Sequence, residues 1–155
     1  MIWTSLHLAM TWGLLLQAGL LSTVPGPDGL LDAERVRLER EVKLDRRIKI
    51  FEAASIRYQN SITSSVQNQE LQTVPTQLKS WANLLESSLK DVEKSTARKD
   101  KSKALIHYEI HLRKAVSDIQ ELKLKASVDE LDSFESWLAK AEEVRKKFVD
   151  MLFQR

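Results

Sequence analysis

The side chains best suited to chemistry are His107 and His111, in the run His107-Tyr108-Glu109-Ile110-His111. Residues four apart on a helix share a face about one turn from each other, so two imidazoles so placed can chelate a transition metal. This is not the zinc-protease motif, in which Glu directly follows the first His. Here Glu109 projects to the opposite side. Asp118 shares the histidine flank but lies about two turns beyond His111, too far to complete one ion's shell. A metal-binding helical protein built on His107 and His111 therefore needs a third ligand from another helix, which the sequence does not name. The expected role of the pair is two boundary histidines on an amphipathic helix, with no metal site and no cofactor.

Other reactive constellations are sparse. There is no Cys, and no Ser stands in the Gly-x-Ser-x-Gly setting of an exposed nucleophile. The Glu-x-x-His motifs of di-iron helical proteins do not occur after Pro27. No catalytic residue is assigned, and catalysis is not expected. Two basic clusters stand out: Arg35, Arg37, Arg40, Lys43, Arg46, Arg47 and Lys49, then Arg98 to Lys103. Glu34, Glu39, Glu41 and Asp45 interleave with the first, the pattern of ion pairing on a wet helix face. With a net charge of +2, nucleic acid is not an expected partner. Contact with anionic lipid or another polyanion is the alternative use of such clusters.

These residues need elements to position them, and the chain offers helices. All four glycines lie at or before Gly29, and Pro75 is the sole proline after Pro27. Strands and hairpins lean on Gly for positive φ and close backbone approach, so residues 28–155 are expected to form an all-α domain. Apolar residues with three- and four-residue spacing mark four helices. The first is expected from about Asp28, as N-cap, to Val66, with the stripe Leu44, Ile48, Phe51, Ser55, Tyr58, Ile62. Its portion before Leu44 reads as a solvated extension. Helix should weaken from Asn60 to Gln77, where Ser, Thr and Asn compete for backbone hydrogen bonds.

The second helix is expected from Pro75 to about Ala97, with Trp81 and Leu85 on its inner face. A turn at Arg98–Lys103 with Asp100 as N-cap leads to a third, from about Lys101 to Ala126, whose heptad includes Leu105, Tyr108, Leu112 and Ile119. Ser127-Val128-Asp129-Glu130 matches a capping box and opens a fourth, to about Phe153, with Phe134, Leu138 and Phe148. The short link between the last two makes them antiparallel neighbours. The architecture expected is an up-down helical bundle of three to four long helices. Trp81 and Trp137 fit its core or core boundary.

The first 27 residues carry no Asp, Glu, Lys or Arg. Leu6 to Val24 is mostly apolar, and Pro25-Gly26-Pro27-Asp28-Gly29 then breaks any helix. That profile reads as an export segment over 1–27, either a cleaved signal peptide or an anchor, since residues 6–24 just reach the ~17–25 residues that span a bilayer. Export with no Cys leans towards a bacterial envelope, because a small secreted animal domain would usually carry disulfides.

Arg46-Arg47-Ile48-Lys49-Ile50-Phe51, the Trp81-Ala82-Asn83-Leu84-Leu85 helix and Arg98-Lys99-Asp100-Lys101-Ser102-Lys103-Ala104-Leu105 together resemble uncharacterised exported all-helical proteins of bacteria. The resemblance covers about residues 46–155. It implies an all-helical exported protein and carries no activity. The expectation is an interaction or structural module of the cell envelope, periplasmic or extracellular. It would act through a protein partner or self-association, with membrane anchoring through residues 6–24 as an option. The rivals are a lipid-surface protein and a metal-binding bundle using His107 and His111.

Overall fold

The computed structural model describes residues 23–95 and 102–153. Among them are α1 (Asp32–Arg40), α2 (Leu44–Gln67), α3 (Val74–Ser95), α4 (Lys103–Lys123) and α5 (Val128–Phe153), with one 3-10 turn at Leu71–Thr73 before α3. The chain is all-α, with no strand among the described residues. The segment read as an export signal or anchor lies almost wholly outside them. No helix of the described residues is long and apolar enough to cross a membrane.

The four long helices enclose one core and neighbour each other in the cyclic order α2, α3, α5, α4. Paired residues give their directions. Arg47 meets Asp91 and Gln77 meets Ser65, so α3 runs antiparallel to α2. Ser102 meets Asp45, and His111 meets Ser55, so α4 runs parallel to α2. Tyr108 packs on Phe148, and Lys123 reaches Glu135, so α5 is antiparallel to α4. Direction thus alternates along the chain, yet α3 and α4 sit diagonally. The Tyr108 hydroxyl reaches Ser88 across the core, 3.2 Å away. α3 and α4 are therefore separate, antiparallel helices; the turn expected at Arg98–Lys103 lies largely outside the described residues. Asp100 lies outside the described residues; the hydroxyl of Ser102 caps α4 instead, accepting from Leu105 N–H at 3.1 Å.

The expected first helix is two helices. Glu41 and Lys43 adopt extended backbone, and the Arg47 guanidinium donates to the carbonyls of Leu38 (2.7 Å) and Glu41 (2.8 Å) while pairing with Asp91. The open carbonyl end of α1 is thereby satisfied from α2. Asp28 is not the helix cap. Its carboxylate accepts from Leu30 N–H in a turn and pairs with Arg35. Nor is the lead-in a solvated extension throughout. Leu30 belongs to the core, and Gly29 sits at φ +76° with no room for a Cβ against Ser80 O and Leu84. The Gly29 carbonyl accepts from the buried Tyr58 hydroxyl at 2.8 Å. Glu34 accepts Leu31 N–H and both arms of Arg57, clamping α1 to α2.

The weakening expected over Asn60–Gln77 is confined to residues 68–73, a turn and the 3-10 turn before α3, because burial of Ile62, Ser65 and Val66 holds α2 helical to Gln67. Tertiary packing overrides local propensity here. Pro75 lies in the first turn of α3, and Ser127 directly precedes α5. Leu138, expected in the core, is only partly buried; Trp137 takes the inward position beside it.

Candidate functional site

The fold separates the two histidines. His107 is exposed, whereas His111 is half-buried at the α2–α4 seam. Its Nε2 lies 3.0 Å from Ser55 Oγ, and its ring stacks on Tyr108 with centroids 6.4 Å apart. Ser55 Oγ also accepts the Trp81 indole N–H at 2.8 Å. Trp81, Ser55 and His111 therefore form one chain of polar contacts joining α3, α2 and α4. Burial pushes the His111 pKa down to about 4, against the opposing pull of the Asp118 carboxylate. Asp118 itself accepts from Gln59 at 2.7 Å. The imidazole is consequently neutral at pH 7. No group of three or more His, Asp or Glu that could hold a metal ion occurs among the described residues.

A serine hydroxyl at 3.0 Å from an imidazole has the dimensions of a nucleophile–base pair. Its surroundings give it another use. Ser55 is 0% exposed, its oxygen already serves Trp81, and an imidazole with so low a pKa is a weak base at neutral pH. A hydroxyl buried without partners would cost about 1–3 kcal/mol, so this network is what lets Ser55 sit in the core. Glu109 faces away from the histidines, as the spacing requires. It is 6% exposed and accepts from Arg113 (2.8 Å) and Arg145 (3.0 Å), tying α4 to α5.

The surface is more suggestive than the interior. A groove of about 510 Å³ runs between the parallel helices α3 and α5. Pro75, Leu78 and Ala82 supply apolar lining from α3, and Trp137 supplies it from α5, while Lys79, Asp132 and Lys140 carry charge. The short side chains of Ala82, Ser133 and Ser136 keep the seam open. Trp137 packs on Trp81 with ring centroids 4.2 Å apart, and its buried indole N–H has no acceptor among the described residues. The sequence placed both tryptophans at the core but left this groove unseen. Its only trace there is small residues at helical spacing on the flanks of two apolar stripes.

A second apolar concavity lies between α4 and α5, where Ile106 (39% exposed), Ile110 (51%) and Phe153 (74%) surround the Glu109–Arg145 pair. The second basic cluster falls largely outside the described residues. Set beside known proteins, the chain matches no family model, no curated protein and no solved structure.

Proposed function

We propose that this chain is a four-helix bundle exported to a bacterial cell envelope, where it serves as an interaction or structural module and not as a catalyst. The observation that carries the reading is the fate of the chemistry-bearing side chains. Ser55, His111, Tyr108 and Glu109 are committed to contacts between helices, so the groups open to partners are those on helix flanks and in the grooves between them. Of these, the α3–α5 groove is the most favourable protein-docking surface. It pairs an apolar floor with charges of both signs on its rim, as interaction surfaces do. The export part rests on the charge-free, apolar first 27 residues.

Fractionation of the producing cell followed by intact-mass measurement tests the placement. Protein in the envelope fraction lacking roughly its first 22–29 residues supports a cleaved signal. Full-length protein held in the membrane fraction supports an anchor, and full-length protein in the cytoplasm overturns the export reading. A second reading, contact with a lipid surface, is favoured by Ile106, Ile110 and Phe153, apolar side chains exposed together at the α4–α5 seam. Flotation with liposomes separates the two.

A further inference from the structure

The elbow between α1 and α2 sorts the cations of the first basic cluster, Lys43 apart, into two sets. Arg35 pairs with Asp28 and Asp32, Arg47 with Asp91, and the nearby Arg57 with Glu34. These hold the fold. Arg37, Arg40 and Lys49 have no ion pair among the described residues. Arg46 reaches only Glu41, at 3.7 Å, with 65% of its side chain exposed. Arg37, Arg40, Arg46 and Lys49 line one concavity of about 360 Å³, with Glu41 as its sole carboxylate and Ile50 as its apolar residue.

The spacing explains the convergence. Arg37 and Arg40 are three apart on α1, and Arg46 and Lys49 are three apart on α2, so each pair shares a helix face. By gripping the carbonyl end of α1, Arg47 turns these two pairs towards each other. Four cations against one carboxylate leave the groove at +3. Glu41 is already engaged: the Lys43 N–H at 2.9 Å and the Arg46 charge hold its carboxyl below the usual range. Ile50 is buried, at 6% exposure, yet lies outside the main hydrophobic cluster. Like charges collected in one concavity repel, and nothing in the packing of the core calls for them there.

We propose that the α1–α2 groove binds a multiply charged phosphate group, whether free or carried as a lipid headgroup. Guanidinium forks match phosphate oxygens two at a time, and Lys49 adds a point charge. The site is independent of the α3–α5 groove, and its test does not depend on export.

The test uses the full chain in three forms: wild type, a groove variant (Arg37→Gln, Arg40→Gln, Lys49→Gln) and a control of equal charge loss elsewhere (Lys114→Gln, Lys125→Gln, Lys146→Gln). All six side chains are exposed, so folding should survive, and equal unfolding midpoints would verify it. One arm titrates inorganic pyrophosphate by calorimetry. The other measures sedimentation with vesicles of equal phosphatidic acid and phosphatidylcholine, against phosphatidylcholine alone; the N-terminal segment contributes equally to all three proteins. The expected result is binding in at least one arm, weakened at least about tenfold in the groove variant and less than about twofold in the control. Binding in the pyrophosphate arm alone identifies a free ligand, in the vesicle arm alone a headgroup, and in both the phosphate itself. The single change Arg40→Glu should weaken the same binding. Absence of binding in both arms, or losses no larger in the groove variant than in the control, overturns the proposal.

Discussion

His111 shows how a residue with chemical potential becomes structural. Its low pKa gives stability a definite dependence on pH. The unfolded imidazole titrates near 6.5, whereas the folded one is pushed down to about 4 by burial. Between those values the unfolded chain binds more protons, so stability rises with pH. The contribution is complete above about pH 6.5 and lost as pH falls towards 4. A loss on the order of 2 kcal/mol is expected once solvent screening of the half-buried ring is allowed for. Urea midpoints measured across that range should fall with acidification, and His111→Gln should flatten the dependence. A wild-type profile level from pH 7 to 4 would contradict the assignment. The sequence revealed the four-residue spacing of His107 and His111 but not their separation in environment. That depends on Ser55 and Trp81, which are distant in sequence and meet only when three helices assemble. Leu112, by contrast, was legible from its heptad. Fully buried, it should cost roughly 2–5 kcal/mol on truncation to Ala; an unchanged thermal midpoint would show that α4 does not pack as described.

At the scale of elements, the chain closes its helices without glycine. At the end of α2, Gln69 takes φ 60°, while Glu70 N–H bonds to Ser65 O (2.8 Å) and Gln69 N–H to Val66 O (3.2 Å). This is a Schellman turn with Gln where Gly usually stands. A side chain in the left-handed region costs roughly 1–2 kcal/mol, part of which is returned by the lower entropy of the unfolded chain. Gln69→Gly should therefore raise stability by about 1 kcal/mol or less, seen as a higher urea midpoint; a marked loss would mean that the Gln side chain contributes in its own right. The end of α2 was legible: the helix was expected to about Val66 and stops at Gln67. The run Asn60–Gln69 looks like loop by propensity, yet Ile62 and Val66 keep the apolar rhythm, and burial decided the outcome. The break at residues 41–43 was hidden, because it depends on Arg47 reaching back to two carbonyls and across to Asp91. Pro75 and Ser127 were legible because their effects are local: a fixed φ suited to a first turn and a hydroxyl that meets Glu130 three residues on.

For the whole molecule, apolar periodicity and the absence of glycine beyond Gly29 were enough to read an all-helical domain. The diagonal placement of α3 and α4, which makes α3–α5 and α2–α4 parallel neighbours, was not encoded in any local pattern. It arises from fitting Trp81, Trp137, Tyr108 and Phe148 into one core, and the α3–α5 groove is its consequence. Because the reactive side chains are held inside, the functional reading places activity on that surface. Site-specific photo-crosslinking in the producing cell tests this most directly, with the reactive group placed in turn at Asn83 and Ser136 in the groove and at Gln120 and Glu121 on the far side of α4. The account predicts discrete covalent adducts, to an envelope protein or to a second copy of the chain, from Asn83 and Ser136 and none from Gln120 or Glu121. Equal labelling at all four positions, or no adduct from either groove position, would contradict it.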